Sequence, residues 1–165
     1  MPDGRSSHYN GRVQGGSNAD NVLADAFVKG VRGAVNWTDG FAAMQKDAEV
    51  QPPDNYDPIA AKASTKEGRG ALPDRIHHGW ITPAFSRAVS RAVEYSVNDS
   101  GLYQVAKGLN RSAGGTRYFN RSRSWHNHWN PAAVAAPYNI PGFVVPRKAN
   151  GSFVPQDPLD CGDCY

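Results

Sequence analysis

Between residues 19 and 31, apolar side chains stand at Ala19, Val22, Leu23, Ala26, Phe27 and Val31, with Asn18, Asn21, Asp25, Lys29 and Arg32 on the other side. This three-and-four spacing predicts an amphipathic helix. Ser17 is a suitable N-cap, and Asp20 stands three residues on, at the acidic position of a capping box. Asp25 and Lys29 are ordered for an i,i+4 pair, and Gly30 and Gly33 offer a stop. A second helix is predicted from Thr38 to about Val50, with Phe41, Met44 and Ala48 facing inward. The short connection makes the two an antiparallel hairpin. Residues 51–81 open with Gln51-Pro52-Pro53 and contain Gly68, Gly70 and Pro73, so they read as a long loop.

Thr82-Pro83 is an N-cap followed by proline at the first helical position, and predicts a third helix. Its inward face is Phe85, Ala88, Val89, Ala92, Val93 and Val97. After a break at Asn98-Asp99-Ser100, a fourth helix carries Leu102, Val105, Ala106 and Leu109. A fifth, about Arg117 to Trp129, places Tyr118, Ser122, Trp125 and Trp129 on one stripe, and Pro131 ends it. The remainder is Pro-rich and irregular, with short β-like runs such as Gly142-Phe-Val-Val145. The pattern is all-α, built of successive αα-hairpins, and fits a bundle, a solenoid or part of a closed toroid. No fixed repeat period supports the solenoid.

Composition narrows the function classes. The chain of 165 residues can hold one domain, taken as 1–165, and 39% of it is hydrophobic. Seventeen Gly and twelve Pro demand many turns. Net charge is only +3, with basic and acidic residues interleaved, and the one dense basic run, Arg117 to Arg123, reads as a solvated helix face. Nothing points to nucleic acid. No stretch has the length of apolar sequence that a membrane span requires, and the first sixteen residues hold no signal-peptide core.

Five Asn-x-Ser/Thr acceptors stand at Asn36, Asn98, Asn110, Asn120 and Asn150. Chance would give only about one or two, so the excess points to descent from a secreted glycoprotein. Cys161 and Cys164 form a lone CxxC. A zinc site would need further ligands, to which His126 and His128 could contribute. A redox motif would open a helix after a strand. A local turn, reduced or bridged, is the third reading.

Eight stretches carry a more specific signal. They are PDGRSS (2–7), QGGSNADNVLADAFVKG (14–30), VNWTDGFAAMQKDAEVQPP (35–53), EGRGALPD (67–74), SRAVEYSVND (90–99), VAKGLNRS (105–112), RSRSWHNHWNP (121–131) and QDPLDCGDCY (156–165). In order and spacing they resemble glycoside hydrolase family 92, most of all its secreted fungal members, along essentially the whole chain. The resemblance implies part of an (α/α)6 toroid that partners a β-sandwich in the full enzyme. It implies a calcium-dependent exo-α-mannosidase that inverts the anomeric centre, commonly at α-1,2 linkages of mannose-containing glycans. Inversion needs an acid and a base about 6.5–9.5 Å apart, and calcium takes oxygen ligands. By the same resemblance the catalytic Glu lies shortly beyond Tyr165, and the base and calcium ligands later still. A tryptophan–aspartate substrate motif lies before Pro2. No catalytic residue and no metal ligand is therefore expected within the chain. Arg75 and Ser100 stand where the family usually has large aromatics, and Ala113-Gly114-Gly115-Thr116 replaces a charged helical start.

Asn18, Asp20 and Glu94 are the candidate substrate-binding residues. Asp20 and Glu94 have plainer alternatives, Asp20 as its own helix cap and Glu94 in a surface pair with Arg91, whereas Asn18 is less easily explained locally. His77, His78 and Trp80 are candidates to wall a sugar pocket by stacking. Two adjacent histidines on extended chain would face opposite sides, which disfavours joint metal ligation. The leading functional expectation is a fragment of a secreted α-1,2-mannosidase, inactive alone. The alternative is a non-catalytic helical carbohydrate-binding or interaction module on the same scaffold.

Overall fold

The computed structural model describes residues 16–52 and 69–159. Among them, five α-helices precede a two-stranded antiparallel sheet: α1 (Asn18–Val28), α2 (Trp37–Glu49), α3 (Leu72–His78), α4 (Ala88–Gly108), α5 (Ser112–Ser122), β1 (Trp129–Ala135) and β2 (Ile140–Val144). A short 3-10 helix, Ser124–His128, joins α5 to β1. The all-α expectation is thus corrected at the C-terminal end.

α4 is the axis of the molecule, with α1, α2 and α5 all packed against it. The main core joins Ala24 and Phe27 of α1, Phe41, Met44 and Ala48 of α2, Leu102, Val105 and Ala106 of α4, and Tyr118 of α5. Two α4 glycines let α1 approach closely. A Cβ on Gly101 would lie 2.9 Å from the Ala24 Cβ, and one on Gly108 would lie 2.2 Å from the Phe27 ring. A second cluster, Ala71, Ile81, Ala88, Ala92 and Tyr95, binds α3 and the following turn to the start of α4.

The helix ends follow local chemistry. Asn36 caps α2 by accepting from the N–H groups of Thr38 and Asp39. α1 closes with Gly30 at a φ of 79°, and the Val31 N–H returns to the Ala26 carbonyl, as in a Schellman motif. The expected Asp25–Lys29 pair forms at 2.9 Å.

Several expectations change. The long loop contains α3, which was unforeseen because seven residues carry too few apolar positions to show a period. The third helix does not start at Thr82, whose hydroxyl instead donates to Asp74 Oδ2 at 2.6 Å and accepts from the Ala84 N–H. The third and fourth helices are one continuous helix, because Asn98 and Asp99 point into the interior rather than breaking it. The fifth helix begins and ends earlier than expected, and Trp129 lies on β1.

In the hairpin, Trp129 pairs with Val144 and Asn130 with Phe143, and a bulge precedes the Val134–Pro141 and Ala135–Ile140 pairs. Gly142, at a φ of 84°, lies under the Trp129 indole, where a Cβ would sit 2.6 Å from the ring. His128 pins this hairpin to the helices. Its Nδ1 donates to the Val145 carbonyl at 3.0 Å, and its Nε2 accepts from the Ile81 N–H at 3.3 Å.

Candidate functional site

The entry to α1 meets the middle of α4 in a buried polar joint. The Ser17 N–H donates to Asn98 Oδ1 at 2.9 Å, and Asn98 Nδ2 returns to the Ser17 carbonyl at 3.2 Å and to Asn21 Oδ1 at 3.1 Å. This amide bridge replaces the expected capping box: Ser17 makes no side-chain cap, and Asp20 turns inward instead.

Asp20 enters a network of guanidiniums and carboxylates. Arg69, just before α3, reaches Asp20 Oδ2 at 3.4 Å with one nitrogen and Asp99 Oδ1 with the other. Arg75 of α3 reaches the second Asp99 oxygen at 3.3 Å, Ser96 Oγ at 3.2 Å and the Arg121 carbonyl at 2.5 Å. All four side chains are essentially sealed from solvent. Charges taken out of water hold together only when paired and hydrogen-bonded. Asp99 satisfies that requirement with both oxygens. Asp20 does not, since its Oδ1 has no hydrogen-bond partner. Burial pushes the Asp20 carboxyl up to about 8, against the attraction of Arg69 and with help from the like charge of Asp47 on α2.

Of the expected sugar contacts, Asn18 begins α1 and is partly exposed. Glu94 is half-buried on α4, and a Cβ on Gly16 would come within 3.0 Å of its Oε2. Burial raises the Glu94 carboxyl above the usual range. The structure thus gathers the neighbourhoods of Asn18, Asp20 and Glu94 at one place, the entry to α1. Asp20 itself is fully buried there, engaged with Arg69. The plain Arg91–Glu94 pair is absent among the described contacts: Arg91 is buried and donates to Ser86 Oγ at 3.3 Å.

Trp80 is not an open stacking platform. His78 stacks on it at 5.3 Å, the Arg147 guanidinium lies 4.3 Å from its ring centre, and its indole N–H donates to the Lys148 carbonyl. His77 and His78 stand on α3 rather than on extended chain, with ring centres 4.5 Å apart. Among the acceptor asparagines, Asn36, Asn110, Asn120 and Asn150 are exposed. Asn98 is fully buried with its amide committed, so the fold leaves no room for a glycan there. Cys161 and Cys164 lie outside the described residues.

Arg69, Arg75, Asp47 and Asp99 were missed as members of the joint. No group of three His, Cys, Asp or Glu residues among those described could hold a metal. The clustered aspartates do not fit calcium either, because guanidiniums occupy the places where a hard cation would bind. No helix among the described residues is long and apolar enough to cross a membrane.

The sequence profile of the glycosyl hydrolase family 92 catalytic domain matches residues 1–164. The chain belongs to that family. It is 35% identical over 176 residues to an uncharacterized secreted glycosidase of Arthroderma benhamiae, a match spanning 99% of this chain and 21% of that protein. Among solved structures, a family GH92 inverting mannosidase of Bacteroides thetaiotaomicron superposes with a TM-score of 0.75 at 22% identity, over 98% of this chain and 19% of the other. A family GH92 alpha-mannosidase of the same organism gives 0.68 at 25% identity, over 91% and 17%. This family 92 chain therefore spans about a fifth of the length of its relatives. Within it, Arg75 stands where the family resemblance implied an aromatic, and it meets its neighbours through ion pairing instead.

Proposed function

We propose that this chain is part of the catalytic toroid of a secreted, inverting α-mannosidase acting on α-1,2-linked mannose in glycans, and that it contributes scaffold rather than catalytic groups. The family match along residues 1–164 carries the reading, and the glycosidase and mannosidase names of its relatives support it. Asp20, the carboxyl most strongly displaced toward neutrality, is sealed by α1, α2 and α4 and cannot reach a glycosidic oxygen. General acid catalysis requires hydrogen-bond reach to that oxygen. Calcium in this reading is bound by other parts of the longer enzyme.

Release of mannose from α-1,2-mannobiose tests the proposal, with excess calcium against chelator. Residues 1–165 alone are expected to show no turnover, and a polypeptide extended to the length of the relatives is expected to show calcium-dependent inversion. Turnover by residues 1–165 would overturn the scaffold role. An inactive extended protein would overturn the mannosidase reading.

The secretory part of the proposal rests on the acceptor asparagines and on the relative named as secreted. Expressed behind a signal peptide in a eukaryotic host, the chain is expected to carry glycan at Asn150. There the Ser152 hydroxyl donates to Asn150 Oδ1 at 2.8 Å in an exposed turn. Asn36 is expected to be partly modified, because its side chain is engaged as a helix cap. Peptide mapping that finds both bare in secreted material would count against the compartment.

A further inference from the structure

The middle of α4 carries the acceptor sequence Asn98-Asp99-Ser100, and the fold encloses its asparagine completely. Asn98 spends its whole amide on the entry to α1. Its Oδ1 accepts from the Ser17 N–H at 2.9 Å, while Nδ2 donates to the Ser17 carbonyl at 3.2 Å and to Asn21 Oδ1 at 3.1 Å. A side-chain amide has two N–H groups, and both are used here.

The surroundings are equally close. A Cβ on Gly16 would lie 2.8 Å from Asn98 Oδ1, and one on Gly101 would lie 2.9 Å from the Ala24 Cβ. Contacts this short leave no space for a sugar between α1 and α4. Asp99, the next residue, receives Arg69 and Arg75, so docking of α4 on α1 also closes that ion network. Ser100, in contrast, is exposed. The residue that makes Asn98 an acceptor is therefore separable from the residues that hold the joint.

Attachment of a glycan and closure of the joint compete for one atom. In the transfer, Nδ2 attacks the anomeric carbon of a lipid pyrophosphate-linked oligosaccharide. The N–C bond forms, the bond from that carbon to the pyrophosphate oxygen breaks, the lipid pyrophosphate leaves, and Nδ2 gives up one proton. A single N–H then remains for two acceptors, and a bulky polar group stands in the α1–α4 contact. Ser17 and Asn21 lie 81 and 77 residues ahead of Asn98, so α1 is already made when α4 emerges.

We propose that Asn98 is a conditional glycan acceptor, modified only while α4 is undocked from α1, and that the added glycan then bars docking. The proposal rests on the secretory part of the reading above. Chains that dock promptly keep Asn98 bare, and chains that delay are marked at an amide the fold requires. Asn36, Asn110, Asn120 and Asn150 are exposed, and a glycan on them records only entry into the compartment.

The test expresses residues 1–165 behind a signal peptide in a eukaryotic host. Enzymatic deglycosylation converts each occupied Asn to Asp, and mass spectrometry reads the secreted and the cell-retained material. Asn98 should be bare in the secreted fraction, where Asn150 is occupied, and occupied in retained chains. Gly101→Ala, which presses α1 away from α4, should raise Asn98 occupancy several-fold. Ser100→Ala removes the acceptor with Asn98 in place and should raise the secreted share of the otherwise unaltered chain. No rise would show that the glycan does not bar docking. Occupied Asn98 in secreted, folded chain would overturn the proposal, as would retained Gly101→Ala chains with Asn150 occupied and Asn98 bare. If Asn150 is bare as well, the secretory reading fails and a second arm decides alone. Purified oligosaccharyltransferase and lipid-linked oligosaccharide are given the folded chain and chain just diluted from urea. Sugar on Asn98 in the second sample only is the expected result, and equal occupancy in both, or none in either, refutes conditional acceptance.

Discussion

His128 shows how one side chain can set a pH dependence. Its ring is fully enclosed and spans the Ile81 N–H and the Val145 carbonyl. Burial lowers its proton affinity, against the hydrogen bond to Val145 and with further lowering from Arg75 and Arg147. A depressed histidine in the fold means that the unfolded chain binds the proton first. Stability from this source is complete above about 6.5 and is lost as pH falls below it. Replacing His128 with Gln should remove that acid limb of the unfolding profile, measured as the wild-type minus variant difference. An acid limb of undiminished size would assign it to other groups.

At the scale of elements, glycine acts in two ways. Gly101 and Gly108 of α4 are contact surfaces: a methyl on either would run into Ala24 or Phe27 of α1. Gly115 of α5 has no such contact, for its Cβ would meet only Tyr103 at 3.9 Å. Alanine loses less backbone entropy than glycine in a helix, by about 1 kcal/mol. Gly115→Ala should therefore stabilise the chain by about 0.5–1 kcal/mol. Gly101→Ala should destabilise it by about 1–3 kcal/mol, the usual cost of overpacking. Urea denaturation of the two variants gives the comparison, and equal signs would show that α1 does not lie on α4 as described. The Glu49 carboxylate, reached by Arg117 at 3.1 Å and Arg121 at 3.0 Å, holds α5 against α2 in the same region.

For the whole molecule, the exposed apolar side chains stand out. Val22 is 70% exposed, Val97 53% and Ile76 51%, while Tyr138 and Ile140 lie open on the hairpin. In a chain spanning about a fifth of its relatives' length, we expect these side chains to face other parts of the longer protein. Isolated residues 1–165 are expected to give helical circular dichroism but shallow unfolding, with association that increases with concentration. Sedimentation velocity across a wide concentration range checks this, and a sharp monomeric melt independent of concentration would contradict it.

What the sequence determined by itself is local and familial. The α1 period and the inward Phe41, Met44 and Ala48 of α2 were legible because short-range spacing suffices to set them, whereas the α2 start was read at Thr38, two residues past its actual cap, Asn36. The eight stretches identified the family through their shared order and spacing along the chain. The polar joint was not legible. Asp20 read as a cap, Asn98 as a helix break and glycan acceptor, and Val93 and Val97 as core, because hydrophobicity assigns polar residues to the surface. The structure turns α4 so that Arg91, Asn98 and Asp99 face inward and Val97 faces out. Only partners at great sequence distance make that arrangement stable: Ser17 lies 81 residues from Asn98, and Arg69 lies 30 from Asp99. A buried charge is admissible only where its counter-charge arrives, and that meeting is decided by tertiary packing.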